Sequence, residues 1–189
     1  LLDAAAGATG GSGWRELRDL EQVVEMQITV QGQQLPLTMR SVRTSDGSLF
    51  MSQRLPFGEM SMARGAKGAW RKSPRGIADL VGDDLAKMDE ESARDFWSLF
   101  GNPDGQEAQA LGAEEVEGKS CDAVRIVSGP AEGLLLFLDA ATRLPVAIRY
   151  RDQSITGDPV TATEIFDDFR DAGPVKLPRA IRILQDGAP

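Results

Sequence analysis

Apolar and polar residues alternate one by one along most of this chain. From Val23 to Val30, the residues Val24, Met26, Ile28 and Val30 fall on one side and Glu25, Gln27 and Thr29 on the other, the period of two that marks a strand with one buried face. Leu35, Leu37 and Met39 repeat the habit, Asp46-Gly47 is a turn dipeptide, Leu49 to Leu55 resumes the alternation, and Met60 and Met62 stand two apart between Gly58 and Arg64. Strands that follow one another across short turns predict an antiparallel meander. A second series is predicted at Ala108 to Glu117, Lys119 to Ser128 across a Glu117-Gly118 turn, Gly133 to Asp139, Leu144 to Arg151, Val160 to Phe169 and Val175 to Gln185. About ten strands are more than a flat open sheet carries comfortably, so the expected fold is mainly β (α+β), a curled antiparallel sheet forming an incomplete barrel.

Two stretches break the alternation. Residues 1–13 (LLDAAAGATGGSG) read as the end of an Ala-rich helix stopped by Gly7, Gly10 and Gly11, with a short helix over Trp14 to Leu20. Between Pro74 and Phe100, Ile77, Leu80, Val81, Leu85 and Met88 recur at spacings of three and four and precede the cluster Phe96, Trp97, Leu99 and Phe100, which predicts helices from the middle of the chain covering the sheet. Gly101-Asn102-Pro103-Asp104-Gly105 reads as a stop and turn. With no repeat, low-complexity tract or linker, residues 1–189 are expected to form a single domain. The start at Leu1-Leu2-Asp3, without Met, points to a piece of a longer chain.

Charge and composition narrow the function. The formal net charge of -8, with no Lys/Arg cluster interleaved with aromatics in the linear reading, argues against nucleic acid and against anionic headgroups as partners. No apolar run reaches the roughly 20 residues of a transmembrane segment. The chain has no histidine and a single cysteine, Cys121, which removes Ser-His-Asp and Cys-His hydrolases, His-based zinc motifs, thiolate metal cages and any internal disulfide. The glycine-rich stretches match neither a P-loop nor a dinucleotide fingerprint. Paired carboxylates remain at Asp83-Asp84, Asp89-Glu90-Glu91, Glu114-Glu115 and Asp167-Asp168, but among 29 acidic residues such neighbours are expected by chance. Calcium ligation at Asp83-Asp84 or over Asp152 to Asp158 lacks the alternating oxygen ligands of an EF-hand loop. No catalytic residues, metal ligands or cofactor are therefore expected.

What stands out is apolar. Five of the six methionines, Met26, Met39, Met51, Met60 and Met62, fall on the first strands, and methionine adapts to irregular apolar guests as readily as it fills gaps in an ordinary core. Strand alternation and the aromatic insert give the candidate ligand-binding residues Val24, Met26, Ile28, Leu37, Met39, Met60, Met62, Trp70, Leu80, Phe96, Trp97 and Phe100.

Several turns also resemble a known family. Ala5-Ala6-Gly7-Ala8-Thr9-Gly10-Gly11-Ser12-Gly13-Trp14 is similar to the helix-Gly-Gly-helix opening of the bacterial lipoprotein-carrier (LolA-like) fold, and Gly65-Ala66-Lys67-Gly68-Ala69-Trp70 to its turn before a tryptophan-bearing strand. Leu111-Gly112 with Val116-Glu117-Gly118-Lys119, then Asp139-Ala140-Ala141-Thr142-Arg143-Leu144-Pro145, then Gly173-Pro174-Val175-Lys176-Leu177-Pro178 resemble its later hairpins in the same order. The resemblance implies a half-barrel plugged by helices around an apolar cavity, and in the carriers that cavity takes lipid acyl chains in the periplasm. Similar domains are also appended to pitrilysin/insulinase-type zinc peptidases. The expectation is thus a non-catalytic, extracytoplasmic domain holding a lipid or a lipoprotein acyl chain. The alternative is an accessory interaction domain at the C-terminus of a bacterial zinc peptidase, with the cavity packed as core and the catalytic machinery in the upstream peptidase domain.

Overall fold

The computed structural model describes residues 1–30, 33–101, 105–153 and 157–187. The centre of the expected stop at 101–105, and residues 154–156 within the acidic 152–158 stretch, lie outside the described residues. The chain divides into two compact units, one formed by Leu17–Met88 and the other by Leu1–Glu16 with Asp89–Pro189.

The Leu17–Met88 unit carries six strands, β1 (Asp19–Val30), β2 (Gln33–Thr44), β3 (Leu49–Leu55), β4 (Gly58–Gly65), β5 (Gly68–Ser73) and β6 (Gly76–Asp79). They form one antiparallel sheet in chain order, each strand bonded only to its sequence neighbours. The alternation read from the sequence appears directly in β1, where Glu21, Val23, Glu25 and Gln27 are exposed while Gln22, Val24, Met26 and Ile28 are half-buried. Helix α3 (Asp83–Ala93) begins in this unit and lays Leu85 and Met88 against Leu49, Met51, Met62, Ala69 and Leu80.

The other unit holds α1 (Leu2–Thr9), α2 (Gly13–Glu16), the end of α3, α4 (Phe96–Phe100) and a second six-stranded sheet. Its strands are β7 (Glu107–Val116), β8 (Lys119–Ser128), β9 (Leu135–Asp139), β10 (Pro145–Gln153), β11 (Pro159–Ala172) and β12 (Val175–Gln185), again antiparallel and in chain order. The β7–β8 turn is a two-residue connection with Glu117 at φ 52° and Gly118 at φ 73°, the left-handed pair that matches the twist of a hairpin. Both faces of this sheet are buried near its centre. Val116, Cys121, Ala123, Phe137, Val146, Ala147 and Ile165 make one cluster. On the other face Phe96 stacks edge-on against Phe166 with ring centroids 5.0 Å apart, Phe100 lies 5.3 Å from Phe96, and Trp14 lies 6.5 Å from Phe100.

The expected mainly β, antiparallel fold with few helices is therefore borne out. Two details differ. Twelve strands are described where the pattern gave about ten, the additions being β5 and β6. The helix read from Ile77, Leu80 and Val81 is not one: Ile77 lies on β6, and α3 starts only at Asp83. Gly76 (φ 125°) and Gly82 (φ 58°) bracket this segment, and backbone in that region breaks a helix whatever the apolar spacing. Likewise, the short helix after Gly13 ends at Glu16 rather than Leu20, because β1 already starts at Asp19.

Candidate functional site

Residues directly opposite each other on paired strands point to the same face of a sheet, so the register of the first sheet decides which apolar side chains share a surface. Val24 pairs with Met39, Met26 with Leu37 and Ile28 with Leu35. Met39 continues to Gln53, and Gln53 to Met60; Met51 pairs with Met62, and Leu49 with Arg64, which pairs with Ala69. One face thus collects all five strand methionines with Val24, Ile28, Leu35, Leu37 and Leu49. Its β3–β5 end is the part covered by Leu85 and Met88. Toward β1 and β2, Val24, Met26, Ile28, Leu35 and Met39 remain half-buried, and Met60 is 37% exposed.

Of the predicted contacts, Val24, Met26, Ile28, Leu37, Met39, Met60 and Met62 lie together on this face, and Leu80, buried, joins it through the bond from its N–H to the Ala69 carbonyl at 2.9 Å. Trp70 does not. It pairs with Ala63 and Asp79 on the opposite face. Phe96, Trp97 and Phe100 belong to the other unit, where Phe96 and Phe100 are buried among Trp14, Phe166 and Phe169 and Trp97 is half-buried. Leu35, Leu49 and Met51, which are not among the candidate residues, lie on the same face; the alternation carries them, but only the register shows that they extend the surface. Within the first unit there is also an open cleft of about 600 Å³ lined by Ala63, Lys67, Trp70, Asp79, Leu80 and Val81. Its walls are the β4–β5 turn and the segment after β6.

The second unit contains a polar cluster, with Arg94 buried and Tyr150 and Glu164 half-buried, that sequence reasoning did not find. The Tyr150 hydroxyl donates to Glu164 Oε1 at 2.7 Å, and the Arg94 guanidinium lies 3.9 Å from the centre of the Tyr150 ring. Glu164 sits in the cross-strand row Val124, Leu136, Ile148, Glu164. Burial holds its carboxyl above the usual value, against the opposing pull of the Tyr150 hydrogen bond and of Arg94. Burial raises the Tyr150 phenol as well, and the Glu164 charge adds to the effect. Arg94 Nε in turn donates to the Glu90 carbonyl at 3.3 Å.

Each group of acidic neighbours considered for hydrolytic chemistry has at least one member in an ion pair, Glu90 with Arg94 at 3.6 Å among them. Asp84 meets Arg71 at 3.5 Å, Glu114 meets Arg149 at 3.6 Å, Asp167 meets Lys119 at 3.1 Å, and Asp168 meets Arg170 at 2.7 Å. Among the described residues no group of three or more Cys, Asp or Glu is placed to hold a metal ion. Cys121 is buried, and desolvation, with the Asp139 charge, raises its thiol, which disfavours the reactive thiolate.

Solved structures resemble the chain, three of them over nearly its whole length. A DUF1329 family protein from Desulfovibrio piger superposes with a TM-score of 0.61 at 13% identity, covering 97% of this chain and 84% of its own. A putative outer membrane lipoprotein-sorting protein domain from Vibrio parahaemolyticus gives 0.56 at 13% identity, with the same coverage of 97% and 84%. A LolA superfamily protein from Nitrosomonas europaea gives 0.57 at 10% identity over 96% of this chain and 85% of its own. The fold is LolA-like. No protein-family model matches the sequence, and no curated protein does. At these identities the LolA-like comparison speaks to architecture, and it lends no support to the accessory-domain alternative.

Proposed function

We propose that this LolA-like chain is a non-catalytic, periplasmic carrier-type domain that holds an apolar ligand, the acyl chain of a lipid or lipoprotein, on the methionine-bearing face of its first sheet. The observation that carries the reading is the register, which gathers Met26, Met39, Met51, Met60 and Met62 onto one surface with Val24, Ile28 and Leu35. A face lined by unbranched thioethers adapts to chains of different length and unsaturation, where a face of β-branched residues fixes one shape. Apolar burial contributes about 25 cal/mol per Å², so an acyl chain needs no polar anchor in such a site. The lipoprotein-sorting description of the Vibrio parahaemolyticus neighbour supports the choice of ligand class and, with it, the compartment.

The test is titration with N-phenyl-1-naphthylamine, followed by displacement with a long-chain fatty acid. Saturable binding is expected. The variant Met26→Trp, which fills the face between β1 and β2, should weaken dye binding about tenfold while leaving the far-ultraviolet circular dichroism unchanged. A folded protein that shows no saturable binding overturns the proposal.

A further inference from the structure

The chain is acidic overall, but its charge is segregated. Residues 54–77 hold six basic residues, Arg54, Arg64, Lys67, Arg71, Lys72 and Arg75, and one acidic residue, Glu59. Within that segment two turns are built alike. Leu55-Pro56-Phe57-Gly58 joins β3 to β4 and Ser73-Pro74-Arg75-Gly76 joins β5 to β6, with Leu55 paired to Gly58 and Ser73 to Gly76. Each places proline at the second turn position, which its fixed φ suits, and projects the next residue outward. The meander brings both turns to the same end of the sheet, close enough that a Cβ built on Gly58 would lie 3.4 Å from Pro74 Cγ. The resulting tip shows Phe57 at 73% exposure and Ile77 at 71%. Around them stand Lys72 and Arg75, both exposed and neither paired with an acid among the described residues, and Arg54, whose contact with Glu59 is a loose 3.9 Å.

We infer that this tip is a docking surface for an anionic lipid bilayer. A large aromatic and a β-branched side chain left in water on adjoining projections are unfavourable unless something apolar receives them. Interfacial insertion needs only a few such side chains together with flanking cations that meet the negative surface potential. The tip offers two exposed apolar side chains on adjoining hairpins, whereas a stable protein interface buries about 800 Å² on each partner, so a bilayer fits it better than an acidic protein does. The net charge of the whole chain argues against anionic headgroups, yet screening confines electrostatics to roughly 8–10 Å, so the local cations decide. This inference concerns a surface separate from the methionine face and stands whether or not that face holds a ligand.

Co-sedimentation of the full chain with vesicles tests it. At about 0.1 M salt the protein should sediment with vesicles of equal parts phosphatidylcholine and phosphatidylglycerol, remain in solution with phosphatidylcholine alone, and be released by further added salt. Phe57→Asp should lower partitioning at least about tenfold, and Lys72→Gln with Arg75→Gln by about thirtyfold. Phe57 and Arg75 are exposed turn residues and Lys72 is an exposed position of β5, and circular dichroism checks that the variants fold. Met26→Trp should leave vesicle binding unchanged, which separates a failure here from a failure of the ligand reading. No association with the anionic vesicles, or association that the tip variants leave intact, overturns the inference.

Discussion

At the scale of single residues, Glu164 is the side chain whose surroundings matter most. It is an acid placed in an apolar row of the second sheet, held by the Tyr150 hydroxyl at 2.7 Å, with the Arg94 guanidinium stacked on the tyrosine ring. Its folded-state affinity for a proton exceeds the ordinary value because desolvation outweighs the favourable contacts. A carboxyl raised in this way costs the fold stability as pH rises through its folded value, since the folded state then gives up a proton that it binds more tightly than the unfolded chain does. Glu164→Gln keeps an acceptor for Tyr150 and removes the ionisation. Relative to the parent, the variant should therefore gain melting temperature near neutral pH compared with about pH 4. A difference in melting temperature that is flat with pH would show that the carboxyl titrates normally. The cluster left no mark in the sequence because Arg94 comes from the turn after α3 and Tyr150 and Glu164 from two strands, and no local spacing relates them.

At the scale of elements, the corner between α1 and α2 is fixed by a close approach. A Cβ added at Gly13 would collide with the Pro174 carbonyl oxygen, and one at Gly10 would come within 2.9 Å of Val175 Cγ1. Beside them the Trp14 indole N–H donates to Thr9 Oγ1 at 3.1 Å, and Thr9 Oγ1 donates to the Ala5 carbonyl at 2.9 Å. Gly13→Ala must push the helices off the β11–β12 hairpin, so a loss of about 1–3 kcal/mol is expected from chemical denaturation. The exposed glycine at position 7, with nothing within 4 Å of a built Cβ, is the control: Gly7→Ala should be neutral or slightly stabilising. The glycine pair and Trp14 were legible beforehand as a helix–turn–helix opening, and most strands were placed within a residue or two by alternation and turn dipeptides. The apolar spacing around Ile77, by contrast, fits a helix and a short exposed edge strand equally well, and the backbone at Gly76 and Gly82 settled it. Trp70, a candidate alongside the aromatics Phe96, Trp97 and Phe100, falls off the methionine surface for a related reason. Adjacent residues on a strand face opposite ways, and choosing between Ala69 and Trp70 requires the partner strands, which place Ala69 opposite Arg64 and Trp70 opposite Ala63.

At the scale of the whole molecule, the two sheets differ in how their apolar faces are used. The second sheet is buried on both sides near its centre, by the Phe137 cluster on one face and by Phe96, Phe100 and Trp14 on the other. The first has one methionine-bearing face that α3 covers only toward β3–β5. A ligand bound there in the folded state alone raises stability by mass action. At a free concentration one hundred times the dissociation constant, the gain is about 2.7 kcal/mol. Differential scanning fluorimetry with a long-chain fatty acid should accordingly show a concentration-dependent rise in melting temperature, and Met26→Trp should blunt it. A melting temperature indifferent to fatty acid would count against occupancy of that face.

The strand order itself has a kinetic corollary. Within each sheet no strand lies beside one from a remote part of its own unit; each bonds only to the strand before and after it. A polypeptide arranged in this way can zip hairpin by hairpin as it emerges, closing short loops instead of waiting for distant segments to meet, and such low contact order favours rapid folding for an all-β protein. Speed of that kind shortens the interval in which unpaired strand edges could capture another copy before the native ladder is complete.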